Sequence, residues 1–372
     1  NIVFDSIIIG CGFAGGVLAR ELAERGNQKV LIIEQRNHIG GNAYDRYDSY
    51  GILIHQYGPH IFHTNNHRVY DYLSRFTKWY PYSHEVVGNV YEKIIPIPFN
   101  LNTINLVYGE EKGEELKEKL VAAYGMGARI PILELRKSED PEIKGIADYV
   151  YENIFLKYTM KQWGQTPKEI DSSVSGRVPV LVSYDNRYFQ DKYQGMPLDG
   201  YTKLFDNLLN HENIAIKLNE KITGIDGIPD AGNIIYTGPI DELFACKYGR
   251  LPYRSLNFVF ENYKIQSYQS HGVVNYTVSE EYTRITEFKK LTGQKSDSTT
   301  IVKEYPIPYT GEMGEIPYYS IINKENLALY EKYKELLENK NIHLLGRLAE
   351  YKYYNMDEIT LKALELADEL IK

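Results

Sequence analysis

Two cysteines in 372 residues are too few for a disulfide framework, so Cys11 and Cys246 read as small reduced packing residues rather than bridges or catalytic thiols. Long apolar runs are also missing. Although the apolar share is an ordinary 43%, no stretch approaches the roughly 20 apolar residues of a membrane-spanning helix. The first apolar stretch, Ser6 to Ile9, runs into glycines rather than a cleavage site, which predicts no secretory signal and a cytoplasmic location. Cationic side chains are outnumbered, 42 Lys and Arg against 50 Asp and Glu, and the net charge of −8 argues against general affinity for nucleic acid. An anionic substrate must then be met by a few arginines placed locally. Metal ligands are sparse as well. His60, His63 and His67 have spacings at which histidines can converge, but Pro59 disrupts a regular helix and no acid or thiol completes the set, so no metal is expected. Tyrosine, by contrast, is abundant at 34 residues. Clusters such as Tyr351, Tyr353 and Tyr354 read as the lining of a polar-aromatic cleft rather than as core.

The chain is about twice the usual single-domain length, room enough for a cofactor and a substrate. Asp5 to Ile9 reads as a buried parallel strand and leads directly into Gly10-Cys11-Gly12-Phe13-Ala14-Gly15. Val17 to Arg25 then reads as a helix closed by Gly26, and Lys29 to Ile33 as a second strand ending in Glu34. This is a complete βαβ dinucleotide fingerprint. Gly10 and Gly12 let the turn close and the backbone approach a pyrophosphate, Gly15 lets helix pack on strand, and Glu34 is placed to accept from ribose hydroxyls. A second glycine pair, Gly40-Gly41, would let backbone pass close to the same dinucleotide, which favours FAD over NAD.

Helical patterns at Glu114 to Tyr124 and Ile146 to Tyr158 suggest an inserted helical domain, and short alternating β-branched and aromatic runs from Leu256 to Tyr319 suggest an antiparallel sheet. Strand signals return between Ile214 and Tyr236, and the chain ends on a short strand, Ile342 to Leu345, and a helix, Met356 to Ile371. The fold class expected is α/β, a Rossmann-type FAD-binding domain with an inserted helical domain and an antiparallel-sheet domain. Its divisions would be 1–95, 200–245 and 340–372 for FAD; 96–175 for the helices and a mobile lid at Gly164 to Gly176; and 176–199 with 246–339 for the substrate sheet. A terminal helix beginning at the cofactor would aim its positive end there and favour a reduced flavin.

Four segments together resemble bacterial-type UDP-galactopyranose mutase: GCGFAG with RNHIGGNAY; YGPHIFHT from Tyr57 to Thr64; KYTMKQWG with SSVSGRVPV; and YTRITE, IPYYSI and GRLAEYKYYNMD. The resemblance runs essentially end to end. It implies an isomerase that interconverts UDP-galactopyranose and UDP-galactofuranose for galactofuranose-containing cell-surface glycans, with reduced FAD as a covalent nucleophile. UDP-galactose would be the partner molecule, and analogy leaves a homodimer open.

By the same resemblance, Arg177 and Arg284 clasp the diphosphate and are the catalytic pair; arginine suits this because its planar fork binds phosphate oxygens bidentately and keeps its proton. Trp163 lies near the uridine, with Tyr158 on or beside the uracil. Tyr188, Tyr318 and Tyr353 meet the diphosphate, and His84 and Asn275 complete the substrate set. Besides Gly10, Gly12, Phe13, Ala14, Gly15 and Glu34, the implied cofactor residues are Gln35, Gly41, Asn42, His60, Ile61, His63, Arg347, Tyr354, Asn355 and Met356. The family pattern carries aspartate at Asn355, so a carboxylate is missing there. Two rivals stand beside this reading: an FAD amine oxidase-like oxidoreductase, which shares the glycine fingerprint, and a non-enzymatic nucleotide-sugar or glycan-binding module.

Overall fold

The computed structural model describes residues 3–173 and 178–372. Chain contacts divide it into two units, one of Asn1–Pro81, Asp191–Ser255 and Tyr309–Lys372, the other of Tyr82–Gln190 and Leu256–Pro308.

In the first unit a parallel sheet carries, side by side, Ile214–Lys217, Val30–Ile33, Ser6–Ile9, Asn233–Tyr236 and Ile342–Leu344. Ser6–Ile9 and Val30–Ile33 are buried along their whole length, as near-continuous apolar strands of a covered parallel sheet must be. The helix between them, Phe13–Glu24, buries Val17, Leu18, Ala19, Leu22 and Ala23. It starts four residues earlier than its apolar period suggests, because both glycines in its first turn are needed by packing. A Cβ on Gly15 would lie 2.1 Å from the Gly10 carbonyl oxygen, and one on Gly16 3.1 Å from the Phe205 ring. Tertiary contact therefore overrides the low helix propensity of glycine.

The terminal helix, Met356–Ile371, matches its expected span. It runs parallel to Phe13–Glu24: Arg25 pairs with Asp368 at the carboxyl ends, and a Cβ on Gly26 would meet Ile371 at 3.3 Å. Both amino ends therefore point to the end of the sheet where the glycine turns lie.

In the second unit a mixed sheet runs in the order Tyr253–Tyr263, Thr299–Pro308, Arg284–Glu287, Val273–Tyr276, Val86–Val90 and Lys93–Ile97, its first strand entering from the other unit. Val273–Tyr276 is antiparallel to Arg284–Glu287 and parallel to Val86–Val90. Three helical stretches, Pro141–Val150, a wide π-helical turn Tyr151–Leu156, and Lys157–Trp163, follow one another without a break until Gly164 ends them in a left-handed conformation.

The divisions differ from those expected. The helical stretch and the sheet share one unit because their apolar faces form one core, in which Ile146, Val150 and Ile154 pack with Val90, Ile95 and Val278. Residues 309–339 lie with the dinucleotide sheet instead: Tyr330 and Tyr333 of helix Lys324–Glu335 enter a core with Ile240, Leu251 and Tyr253. Tyrosines also fill this core. Tyr351, expected in a cleft, is fully buried, its hydroxyl donating to the carbonyls of Pro252 at 2.5 Å and Ile321 at 3.1 Å. Tyr354 is buried too, whereas Tyr353 is 59% exposed.

Candidate active site

Ser6–Ile9 ends at Gly10, whose φ of +110° is open to glycine at little cost, and where any Cβ would fall 1.9 Å from Thr237 Oγ1. The turn leads straight into Phe13–Glu24, capped by Gly12 with no side-chain bond and no acid in the first turn. The first N–H groups of this helix are thus presented to an anion together with the positive end of its dipole. Gly40 donates its N–H to the Cys11 carbonyl at 2.9 Å, and a Cβ on Gly41 would approach Gly12 Cα to 2.8 Å. The two glycine segments abut, and side chains would fill the space where a dinucleotide backbone passes.

Glu34 is buried beside them, accepting from the N–H of Cys11 at 2.9 Å and of Arg36 at 2.8 Å. These bonds aim a carboxylate with lone pairs to spare at the glycine turn, as a ribose diol requires. Burial, reinforced by the Glu34 charge, pushes the Cys11 thiol up to about 12, which makes it a packing group. Gln35 is exposed, Asn42 lies in the turn Gly41–Ala43, and Ile61 is half-buried.

The histidine loop is held from several sides. His60 donates its backbone N–H to His55 Nδ1 at 3.1 Å, and its carbonyl accepts from the Tyr201 hydroxyl at 2.8 Å. His63 pairs with Asp191 at 2.9 Å and His67 with Asp71 at 2.9 Å. Tyr318, buried, donates to the Tyr57 carbonyl at 2.8 Å, while its own carbonyl accepts from Arg347. The Arg347 guanidinium also lies 5.3 Å from the centre of the Tyr353 ring. Tyr354 donates to Glu350 at 2.9 Å, and Glu350 in turn accepts from the N–H of Gly346 at 2.9 Å. Asn355 precedes Met356 at the start of the terminal helix and donates its N–H to Glu358 at 2.9 Å. Tyr318, Arg347 and Tyr353 are thus brought together in the first unit.

In the second unit, strand register assembles another set. Asn275 lies opposite Arg284, and Arg284 opposite Glu304, so the three side chains share one face of the sheet. Arg284 Nε donates to Glu304 Oε2 at 2.6 Å; Glu304 is 1% exposed and Arg284 26%. A buried carboxylate thereby fixes one edge of a guanidinium next to an amide, an arrangement suited to an oxyanion. His84 and Tyr188 also come together. The Tyr188 N–H donates to the His84 carbonyl at 2.7 Å, the rings meet edge to face at 5.9 Å, and Tyr82 bonds His84 Nδ1 at 2.9 Å.

Tyr158 and Trp163 share the short helix Lys157–Trp163 but stand five residues apart. At about 100° per residue they point about 140° from each other, so one flat base cannot rest on both faces alike. Arg177 lies outside the described residues, as does the carboxyl end of the expected lid. The rest of that segment includes a short helix, Pro167–Ser173, with Ile170 buried. Nothing local in the sequence marks Glu304 or Lys161, whose partners are 20 and 115–121 residues away.

The glycine cradle, the buried acid and the parallel sheet define a dinucleotide-binding protein of the Rossmann kind, and a family model described as NAD(P)-binding Rossmann-like domain matches residues 8–76. A second model, described as UDP-galactopyranose mutase, matches residues 153–353. A probable UDP-galactopyranose mutase of Klebsiella pneumoniae is 39% identical over 98% of this chain and 94% of its own. A dTDP-fucopyranose mutase of Escherichia coli is 38% identical over 98% of both chains. Among solved structures, a reduced UDP-galactopyranose mutase has a TM-score of 0.72 at 16% identity, over 99% of this chain and 96% of that one. A putrescine oxidase has a TM-score of 0.54 at 14% identity, over 100% and 99%. The chain belongs to the UDP-galactopyranose mutase family of isomerases, and its Rossmann-like segment supports a flavin cofactor. Among the described residues, no helix is long and apolar enough to cross a membrane.

Proposed function

We propose that this chain interconverts UDP-galactopyranose and UDP-galactofuranose, with FAD active in its reduced state, in the cytoplasm and for galactofuranose-containing glycans. The observation that carries the reading is Arg284, held by buried Glu304 and set opposite Asn275. Such a group binds a diphosphate and stabilises it as it departs, and it has no counterpart in the needs of an amine oxidase. Reduced FAD, when bound, supplies the nucleophile that replaces UDP at the anomeric carbon.

The chain's own residues do the rest. Gly10, Gly12, Gly15 and Gly41 admit the pyrophosphate of the cofactor, and Glu34 accepts from its ribose. Tyr353 donates to the substrate phosphates beside Arg347; the Tyr318 hydroxyl, whose one proton is held by the Tyr57 carbonyl, joins it only by releasing that bond, and Arg177 joins Arg284 on the departing UDP. Trp163 and Tyr158 receive the uridine, one on the base and the other at its edge, as their divergent directions require.

A second reading rests on the E. coli relative, as similar to this chain as the Klebsiella protein: a dTDP-linked sugar as the preferred substrate. The experiment is anaerobic turnover of UDP-galactopyranose and dTDP-fucopyranose, with and without dithionite, read by chromatography of the released sugars. Galactofuranose formed only with dithionite supports the reading. A larger kcat/KM for the dTDP sugar favours the second, and no furanose from either overturns both.

A further inference from the structure

The helix that carries Tyr158 and Trp163 is fastened to the hairpin that carries Asn275 and Arg284 by one side chain between them. Lys161 Nζ donates to three backbone carbonyls, Tyr276 at 2.5 Å, Glu280 at 2.8 Å and Tyr282 at 3.2 Å. An ammonium has three N–H donors and no acceptor, so this site uses all of them. The carbonyls belong to the turn joining Val273–Tyr276 to Arg284–Glu287. Tyr276 follows Asn275 directly, and Tyr282 stands two residues before Arg284. Gripping those carbonyls therefore fixes the chain on either side of the opposed pair Asn275 and Arg284.

A second tie lies further along the same helical stretch. Thr277, 1% exposed, donates its hydroxyl to the Asn153 carbonyl at 2.6 Å, within the π-helical turn Tyr151–Leu156 where the regular ladder is interrupted. The turn thus leans on the helix through a hydroxyl at one end and an ammonium at the other. Burial brings the Lys161 ammonium down to about 8, with Glu280 opposing the shift, so the chain places this charge there at some cost in desolvation. A methionine there would hold none of these carbonyls.

We propose that Lys161 is a positioning residue, coupling the helix of Tyr158 and Trp163 to the hairpin of Asn275 and Arg284 so that base and diphosphate contacts are set as one unit. The inference rests on the diphosphate role given above to Arg284. Misplacement of a charged contact by about 1 Å is enough to cost orders of magnitude in rate.

The test uses the flavin-loaded protein and calorimetric titration with UDP. Lys161→Met should weaken UDP binding at least tenfold while leaving flavin content unchanged, and Lys161→Arg, which keeps charge and donors, should bind UDP within threefold of the unaltered chain. In an Arg284→Ala background, adding Lys161→Met should cost at least threefold less than it does in the unaltered chain, because one of the groups it positions is gone. If Arg284→Ala loses affinity but Lys161→Met stays within twofold, or if the two losses multiply in full, the coupling is refuted and the diphosphate role stands. A Lys161→Arg protein as weak as Lys161→Met refutes donation to the carbonyls as the cause. If Arg284→Ala itself binds UDP within twofold, the diphosphate role fails and the coupling with it. Should Lys161→Met not fold, Lys161→Gln is judged by the same thresholds.

Discussion

Arg284→Ala should do two separable things. It removes a cation from the row Asn275, Arg284, Glu304, and it leaves Glu304, 1% exposed, without its 2.6 Å charge partner. Breaking a buried pair by deleting one partner costs about 3–5 kcal/mol, most of it from the charge left behind. Arg284 is itself 26% exposed, so water reaches one side of the pair and the lower end, about 3 kcal/mol, applies. The catalytic loss has another origin. A preorganised donor at developing charge supplies about 3–4 kcal/mol, or about a hundredfold to a thousandfold in kcat. The pair of assays is urea unfolding of the flavin-loaded protein and anaerobic turnover of UDP-galactose. In the double variant Arg284→Ala/Glu304→Gln, a neutral amide replaces the stranded carboxylate, so about 2 of the 3 kcal/mol should return while the rate stays low. The reasoning is refuted if Arg284→Ala unfolds within about 0.5 kcal/mol of the unaltered protein. Return of the rate in the double variant would refute it equally.

Gly15→Ala should yield protein without flavin, because its Cβ must displace the Gly10 carbonyl it would meet at 2.1 Å; visible absorbance at the usual flavin-to-protein ratio would contradict this. Burial lowers His55 from 6.5 to about 4, and its Nδ1 must stay unprotonated to accept from His60. The unfolded chain then takes up the proton first, so stability should fall by about 3 kcal/mol as pH drops from about 6.5 to about 4. Urea midpoints of His55→Gln with an undiminished slope across that window would exclude His55 as the source. Tyr351→Phe should cost about 1–3 kcal/mol by stripping the Pro252 and Ile321 carbonyls of a buried donor, and an unchanged unfolding midpoint would show that water replaces it.

What was legible in the sequence was what short stretches of chain determine. Glycine spacing, buried strands and Glu34 gave the dinucleotide turn because all its parts lie within about thirty-five consecutive residues, and the periodicity of Met356–Ile371 gave the last helix. The start of Phe13–Glu24 is not legible, since Gly15 and Gly16 look like helix breakers until Gly10 and Phe205 are seen against them. The burial of Tyr351 is not legible either, because a phenol reads as half-polar, whereas two carbonyls from distant segments satisfy its hydroxyl and let the ring fill the core. The unit boundaries escaped because helix 141–163 shows an apolar face but not the sheet that receives it.

The substrate row was illegible for a further reason, which also bears on which sugar nucleotide this chain prefers. Asn275, Arg284 and Glu304 stand on three strands and meet only through register, and a shift of one residue would turn any of them to the opposite face. What they offer is a cation and an amide for phosphate oxygens. UDP-galactose and a dTDP-linked fucose share the diphosphate and differ elsewhere, in the methyl group on the base, the 2′-hydroxyl of the ribose and the 6-hydroxyl of the sugar. A row that reads the shared part cannot separate the two. Discrimination has to come from groups that meet base or sugar, which returns the question to the helix bearing Tyr158 and Trp163. Because Lys161 ties that helix to the row, a change in the base contact and a change in the diphosphate contact are not independent. Substitutions at Trp163 that alter the preference between the two nucleotides should therefore also shift affinity for inorganic pyrophosphate, a ligand with no base at all.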